Sequence, residues 1–219
     1  MDITEKAEQL RDKLKARKDS LDNPIDLDLP VIDPFNGGGK IRLIILGQDP
    51  TVKNVASRSH ITKTLNLDKN NAIRSYVNQI CQALGISIEN IYATNIFKYF
   101  YTRPPATTMH VLYYHLPENL TLLQEELSDF EKLPMISLGE PVIQLLTHAS
   151  GKVRKYWDYN LKTGETNGCF SFAKAQDNKL LRDFFPFPHQ PSLRKVFYKE
   201  NLPNYLSFMN MKINLEILE

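Results

Sequence analysis

The stretch KIRLIILGQDPT, residues 40–51, contains the feature that decides the fold. Its almost unbroken apolar run over residues 41–46 is typical of a strand buried on both faces of a parallel sheet. Gly47 permits a sharp exit from that strand, and Pro50 prevents its continuation because proline lacks a backbone N–H. Asp49 is therefore expected at the carboxyl end of a central strand, where open α/β sheets place ligand sites. The plainer interpretation is that Asp49 fixes the turn or caps the next element.

Composition and charge limit the classes of protein. The 219 residues are 42% hydrophobic and 24% charged, which is typical of a globular chain, and the net charge of +2 neither requires nor excludes a nucleic-acid partner. Cys81 and Cys169 form no CxxC pair, which argues against a disulfide framework and favours a cytoplasmic location. The charged N-terminal sequence does not resemble a signal peptide, and no apolar run approaches the roughly 18 residues of a membrane span.

Strands alternate with helices along the rest of the chain. The sequence predicts further strands over 91–96, 134–138 and 180–185, and helices over 2–19, 69–84, 117–131, 141–149 and 202–218. Residues 1–36, a helix and an extended arm, are expected to pack on the same domain. These elements predict one domain over residues 1–219, a three-layer α/β/α sandwich with a mostly parallel central sheet of about four strands.

Residues 152–176 combine basic side chains with the aromatic rings of Tyr156, Trp157 and Tyr159. Basic residues interleaved with aromatic rings can hold a nucleic-acid backbone. A half-buried hairpin has the same composition, and the pattern of Gly164 and Gly168 favours the hairpin.

Three predicted strand ends carry polar side chains, namely Asp49, Asn95 and His189. Right-handed crossovers bring the carboxyl ends of parallel strands to one rim of the sheet. Taken singly, an asparagine at a strand end is usually a turn residue, and a lone histidine is usually structural. Together, an acid, an amide and an imidazole around one cleft suit the recognition of a planar heterocycle and the cleavage of a bond to it.

Four motifs, in the same order along the chain, resemble the uracil-DNA glycosylase superfamily over residues 41–198. The GQDP of residues 47–50 is similar to the water-activating GQDPYH motif of the ordinary uracil-excising branch. Residues 94–105, with TNIFK and then RPP, resemble the TNxVKxRPP stretch of the iron–sulfur branch. The ISLG of residues 136–139 resembles a VxALG strand-to-helix junction, and the HQPSL of residues 189–193 resembles the closing HPSPL motif. The chain resembles a divergent branch with part of each neighbour's motif set.

The resemblance implies an activity and a partner. It implies a DNA glycosylase that hydrolyses the N-glycosidic bond of uracil, or of a related damaged pyrimidine, in base excision repair. The partner would be DNA that contains such a base, bound by a monomer that needs no cofactor. The target nucleotide would rotate out of the duplex, since its glycosidic bond is inaccessible in the stack. Two alternatives stay open: a non-catalytic nucleic-acid or nucleobase-binding protein of the same fold, and another hydrolase acting on nucleotides or nucleosides.

The resemblance also implies a role for individual residues. Asp49 would hold the attacking water near the cation-like sugar, and His189 would donate a hydrogen bond to the departing base. Asn95 would pair with the base edge, and Gln48 would add backbone contacts. Leu193 would enter the vacated position in the stack. Phosphate contacts are assigned to Ser59, Ser192, Arg194 and Lys195.

The chain departs from the family pattern at several positions. Thr51 replaces an aromatic residue that blocks a methyl group at the 5-position of the base, which predicts weaker rejection of 5-substituted bases. The stacking phenylalanine expected in the loop after Asp49 is absent, and His60 is the one ring in that stretch. Tyr99 replaces a cysteine of the iron–sulfur branch, and two cysteines cannot supply four ligands, so no metal site is expected. Gln190 replaces the first proline of HPSPL.

Overall fold

The structure is a computed structural model that describes residues 2–18, 21–149, 151–190, 192 and 195–216. For residues 214–216 it describes the backbone only. Its strands are β1 (Phe35–Asn36), β2 (Leu43–Gly47), β3 (Ile91–Asn95), β4 (Met135–Leu138) and β5 (Phe185–Phe187). They form one sheet in the order β1-β3-β2-β4-β5. The pairs β2–β3, β2–β4 and β4–β5 are parallel, and β1 pairs antiparallel with β3. The prediction of an α/β fold with a mostly parallel sheet is confirmed.

Six α-helices accompany this sheet in the part of the chain that the structure describes. They are α1 (Ile3–Leu14), α2 (Ala72–Ala83), α3 (Met109–Glu126), α4 (Glu140–Leu146), α5 (Val153–Tyr156) and α6 (Val196–Glu216). Helix α1 begins at a capping box in which the side chains of Asp2 and Glu5 each accept from the other's backbone N–H. Helix α1 contacts α3, and α2 contacts α6.

The three central strands form the core of the sheet because every residue of β2, β3 and β4 is buried. This burial explains the continuous apolar run of β2, which has no solvent-facing side. The sheet has one strand more than the predicted four. The additional strand, β1, is only two residues long and lies in the arm that the sequence predicts to be extended.

Helix α6 begins at Val196, whereas the predicted helix starts at residue 202. Two further element boundaries differ from the prediction for identifiable reasons. Helix α3 begins at Met109, well before Pro117, which lies inside the helix and not at its start. Strand β5 begins at Phe185, because residues 178–182 form a turn in which Leu181 has a φ of 56°. In that turn the Asn178 amide donates to the carbonyl of Arg182, which holds the chain away from an extended conformation.

The aromatic residues of the segment 152–176 include a core residue. Trp157 is fully buried, its indole N–H donates to the Pro186 carbonyl at 2.8 Å, and its ring stacks on Tyr205 with centroids 4.4 Å apart. Tyr159 and Thr166 form an antiparallel bridge. This packing fits the hairpin interpretation, although a short helix, α5, begins the segment.

The N-terminal arm runs beside the segment that follows β3. The Asp26 N–H donates to the Phe100 carbonyl at 2.9 Å, and the Ile32 N–H donates to the Lys98 carbonyl at 2.7 Å. Backbone bonds of this kind hold an irregular segment in place without regular secondary structure. The arm therefore supports the loop that leaves the end of β3.

Candidate functional site

The strand ends that carry the predicted site residues lie at one edge of the sheet. Gly47 pairs with Asn95 across β2 and β3, and Leu138 pairs with Phe187 across β4 and β5. Asp49 and His189 follow the ends of β2 and β5 by two residues each. Because these strands are parallel, their carboxyl ends form a single rim, which is the place where α/β sheets bind ligands.

Gly47 is the residue that permits the close approach of Asn95. A Cβ atom added at Gly47 would lie 2.2 Å from the Asn95 side-chain Oδ1 atom. Real Cβ atoms do not approach an oxygen this closely, so a glycine is required there. The backbone bonds continue past both strands, because the Ile96 N–H donates to the Gly47 carbonyl at 3.0 Å and the Phe97 N–H donates to the Gln48 carbonyl at 2.9 Å.

The Asn95 side chain is buried and unpaired. Its exposed fraction is 1%, and neither its amide nitrogen nor its amide oxygen has a hydrogen-bond partner among the described residues. The Gln48 side-chain nitrogen is likewise buried without a partner there. An unpaired buried polar group costs about 1–3 kcal/mol, so such groups usually pair with water, an ion or a ligand. The Asn95 amide offers both N–H donors and a carbonyl acceptor to a ligand.

For the uracil-releasing activity that the resemblance implies, replacing Gly47 with alanine is expected to lower the rate about tenfold, since the new methyl group displaces the Asn95 amide and misplaced binding groups slow a bound reaction. The amide is a side-chain end, so the strand itself can stay in place and the protein should still fold. Single-turnover rates and thermal melts of both proteins measure the two effects. A Gly47→Ala variant with wild-type rates would show that the position of this amide does not matter.

The Asp49 carboxylate is held by the turn that follows β2. The Thr51 backbone N–H donates to Asp49 Oδ2 at 2.8 Å, which makes the compact turn that the sequence permits. Burial raises the pKa of Asp49 to about 6, although hydrogen bonds from Thr51 and the positive charge of Arg58 oppose that rise. A carboxyl group with a pKa near 6 is ionised at neutral pH and takes up a proton readily in mild acid.

Arg58, in the loop after β2, is a buried cation. Its guanidinium donates to the carbonyls of Val52, Tyr101 and Thr102 at 3.0–3.1 Å and lies 3.6 Å from the Asp26 carboxylate. It therefore ties the loop after β2 to the loop after β3. The sequence carries no local signal for this role, because the partners are distant backbone groups.

Thr51 makes a second link between the same two loops. Its hydroxyl oxygen accepts a hydrogen bond from the Tyr101 N–H at 2.8 Å. Tyr99, at the position of a cysteine in the iron–sulfur branch, is buried, and its hydroxyl accepts from the Asn119 amide at 2.9 Å. A packed tyrosine thus occupies the place where the resemblance would put a metal ligand.

Behind the rim, a buried ion pair supports the end of β3. The Lys98 ammonium lies 2.5 Å from Glu126 Oε2 and also donates to the Thr94 hydroxyl and the Asn95 carbonyl. Both charged side chains are 2% exposed. Burial lowers the pKa of Lys98, and the adjacent Glu126 carboxylate opposes that change. Through the hydrogen bond of Lys98 to the Asn95 carbonyl, this ion pair fixes the backbone of Asn95.

His189 lies on the exposed side of the rim. Its Cβ atom would be 3.4 Å from a Cβ added at Gly139, where a φ of 97° also favours glycine. Partial desolvation by the protein around the ring lowers the pKa of His189, which favours the neutral imidazole at neutral pH. His189 lines a cavity of about 230 Å³ with Ser192 and Lys195. Of the described residues, neither Asp49 nor Asn95 lines this cavity.

The predicted phosphate contacts are only partly described. The Ser192 N–H donates to the His189 carbonyl at 2.8 Å, and Lys195 is exposed. Leu193 and Arg194 lie outside the described residues, so their predicted roles stay predictions.

The remaining two predicted residues, Ser59 and His60, are exposed in the 3-10 turn Val55–His60. Within the described part of the chain, no hydrogen bond joins either side chain to Asp49, Asn95 or His189. The predicted roles of these two residues therefore stay predictions.

Leu65 is a site residue that sequence reasoning misses. It belongs to the 3-10 turn Thr64–Asn66, and its φ of 56° is uncommon for a leucine. Its Cδ2 atom lies 3.2 Å from the position that a Cβ atom on Gly47 would take. The Asn95 Oδ1 atom lies 2.2 Å from the same position. No propensity rule places a leucine in a left-handed conformation, so the sequence contains no signal for this contact.

The described residues contain neither a cluster of metal ligands nor a membrane span. Cys81 is buried, Cys169 is exposed, and both are free thiols. Across residues 2–18, 21–149, 151–190, 192 and 195–216, no three His, Cys, Asp or Glu side chains group as metal ligands. In the same ranges, no helix has the length and apolar character needed to cross a membrane.

Comparison with known proteins yields no family assignment. No model of a known protein family matches the chain, and no curated protein matches it.

Proposed function

We propose that the chain is a DNA glycosylase that hydrolyses the N-glycosidic bond of uracil, or of a related damaged pyrimidine. The observation that carries the proposal is the Asn95 amide, which is buried with both polar atoms unpaired at the rim that also bears Asp49 and His189. An amide of this kind matches the adjacent carbonyl and N–H of a uracil edge. Cytosine presents a different edge and would leave buried polar groups unpaired, which gives the site its selectivity.

In the proposed reaction, Asp49 acts on the sugar side of the scissile bond. As the bond from the sugar to the base nitrogen breaks, positive charge develops on the sugar. The Asp49 carboxylate stabilises that charge and accepts a hydrogen bond from the attacking water, whose oxygen forms the new bond to the sugar. The Thr51 N–H holds the carboxylate in position before the reaction begins.

His189 acts on the base side of the same bond. The departing base carries negative charge, and a neutral imidazole can donate one ring N–H to the base oxygen. The lowered pKa of His189 fits this role because it keeps the imidazole neutral at neutral pH, with one ring N–H available to donate. Asn95 would hold the base edge while the charge develops.

The chain would bind damaged DNA with the base rotated out of the stack. The polar atoms of Asn95 are enclosed, so a base must displace neighbouring side chains as it enters. Phosphate contacts from Ser59, Ser192, Arg194 and Lys195, and insertion of Leu193, belong to this proposal. We propose further that the chain acts as a monomer in the cytoplasm, where its exposed Cys169 thiol would stay reduced.

The three-layer arrangement is part of the same proposal. Right-handed crossovers from β2 to β3 and from β3 to β4 run in opposite directions along the sheet, which would place α2 and α3 on opposite faces. The contacts of α1 with α3 and of α2 with α6 fit two such layers. In that arrangement the strand connections change direction beside β2, which makes its carboxyl end the topological switch point, and Asp49 follows that end.

A single-turnover assay on uracil-containing oligonucleotides tests the activity. With enzyme in excess, we expect release of free uracil from both single-stranded and duplex DNA, and none from matched oligonucleotides with cytosine at the same position. Heat-inactivated protein is the control. Absence of free uracil, with the glycosidic bonds intact after prolonged incubation, would overturn the proposed activity.

The non-catalytic alternative is favoured by one observation, the absence of a phenylalanine from residues 57–65, where the resemblance would put the ring that stacks on the base. A binding protein of this fold would retain uracil-containing DNA without cleaving it. Binding in a gel-shift assay combined with intact glycosidic bonds would support that alternative.

A further inference from the structure

Leu65 occupies an unusual backbone conformation that its surroundings impose. Both Leu65 and Asn66 have φ values in the left-handed region, 56° and 53°. The turn that contains them is held at its start by two hydrogen bonds from Thr64 to the Asp33 carbonyl, one from the backbone N–H and one from the hydroxyl. At its end, the Asn71 amide donates to the Asn66 carbonyl. A strained conformation that is fixed from both sides often marks a functional site.

The strained turn places the Leu65 side chain beside the base-recognition amide. Leu65 Cδ2 and Asn95 Oδ1 both lie within 3.2 Å of one point, the position of a Cβ on Gly47. Leu65 is half-buried, so one side of its isobutyl group faces away from the core. It is therefore one of the groups near the amide, at the side from which a base could approach.

We propose that Leu65 forms the apolar wall against which the base lies beside Asn95, and that this aliphatic wall admits reduced, non-planar pyrimidines as well as planar ones. The proposal rests on the proposed glycosylase function and names its substrate class. The representative substrate is 5,6-dihydrouracil in DNA.

The chemistry of the two bases explains why Leu65 decides between them. Uracil is flat, whereas 5,6-dihydrouracil has two tetrahedral ring carbons and is puckered. An aromatic side chain stacks best on a flat ring, but an aliphatic side chain contacts a flat or a puckered ring by dispersion alone. Both bases have the same carbonyl and N–H edge, so Asn95 can pair with either.

The reaction on the reduced base is the same hydrolysis. The bond between the sugar carbon and the base nitrogen breaks, and its electron pair leaves with the base. Water supplies the oxygen of the new bond to the sugar, one proton of that water passes to the medium, and the base takes up a proton after it departs. No oxidant, reductant or further reactant takes part.

The test compares single-turnover release of uracil and 5,6-dihydrouracil from single-stranded oligonucleotides of otherwise identical sequence. The proteins are the wild type, Leu65→Phe and the volume-conserving control Leu65→Met. We expect wild type and Leu65→Met to release both bases, with ratios of the two rates that agree within about threefold. We expect Leu65→Phe to shift the ratio towards uracil by about tenfold, because its ring favours the flat base. The two bases differ as leaving groups, so the shift between variants, and not the raw ratio, is decisive.

Each other outcome overturns the proposal, and the controls show which part fails. Release of uracil with the same ratio in Leu65→Phe as in wild type would overturn the role of Leu65 alone. Release of neither base by wild type would overturn the glycosylase function and this proposal with it. Should thermal melts show that Leu65→Phe is unfolded, Leu65→Ala replaces it. In the alanine variant the rate of release should fall about tenfold for both bases without a change in their ratio. Unchanged rates would contradict the proposal that Leu65 contacts the base.

Discussion

Replacing Asp49 with asparagine is expected to lower the single-turnover rate of uracil release by at least about a hundredfold, the usual effect of removing one preorganised electrostatic group. The neutral amide can still accept the Thr51 N–H, so the turn should keep its shape. Binding of uracil-containing DNA should survive, because the Asn95 amide and the phosphate contacts are unchanged. Rates at saturating enzyme and gel-shift affinities measure the two effects separately.

The raised pKa of Asp49 adds a pH signature to this prediction. In the wild type, the rate should fall as the pH is lowered through about 6, because the carboxylate takes up a proton in that range. The folded chain binds this proton more tightly than the unfolded chain, whose pKa is near the ordinary value of 3.8. The contribution of Asp49 to stability is therefore present below pH 3.8 and is lost as the pH rises through about 6.

It follows that Asp49→Asn should be less active and yet more stable than the wild type at pH 7. Thermal melts of the two proteins at pH 7 and pH 4 provide the comparison, and the gain should shrink at the lower pH. Wild-type rates in the mutant would remove Asp49 from the reaction. Equal melting temperatures at pH 7 would show instead that the carboxylate is well solvated.

The second large effect is expected at His189. His189→Ala should slow uracil release about a hundredfold, because the departing base loses the donor that stabilises its negative charge. The loss should be the same on single-stranded and duplex DNA, since it concerns the leaving base and not the opening of the stack. A matched control is His189→Gln, whose amide retains an N–H donor and should recover part of the rate.

Two outcomes would contradict this role for His189. One is a loss confined to duplex DNA, which would assign the loop of residues 188–195 to base rotation instead of chemistry. The other is a glutamine variant as slow as the alanine variant, which would show that donation of a hydrogen bond is not the function. Thermal melts of both variants separate these effects from loss of folding.

The sequence predicts the centre of the sheet well because the signal there is strong and local. The apolar run of β2 is followed by Gly47 and Pro50, and in the structure the strand ends at Gly47. The rim containing Asp49, Asn95 and His189 follows from alternating strands and helices together with the preference for right-handed crossovers. Residue types at strand ends thus indicate which edge of the sheet carries the candidate site.

Features that depend on distant partners could not be predicted. Leu65 and Leu181 adopt left-handed conformations that leucine disfavours, and only tertiary contacts hold them there. Strand β1 is two residues long and exists because β3 offers an open edge. Helix α3 extends through Pro117, although proline is a common helix start, because burial of residues before it outweighs the lost hydrogen bond.

The buried pair of Lys98 and Glu126 constrains how this chain can evolve. Loss of either partner alone leaves an uncompensated charge in the interior, which typically destabilises a protein by about 3–5 kcal/mol. Because the same ammonium holds the Asn95 backbone, that loss would also disturb the proposed base recognition. The two residues are therefore expected to be epistatic, because substitution of either one alone is costly. Replacement of the pair by apolar residues would require both substitutions and a new contact to hold the end of β3.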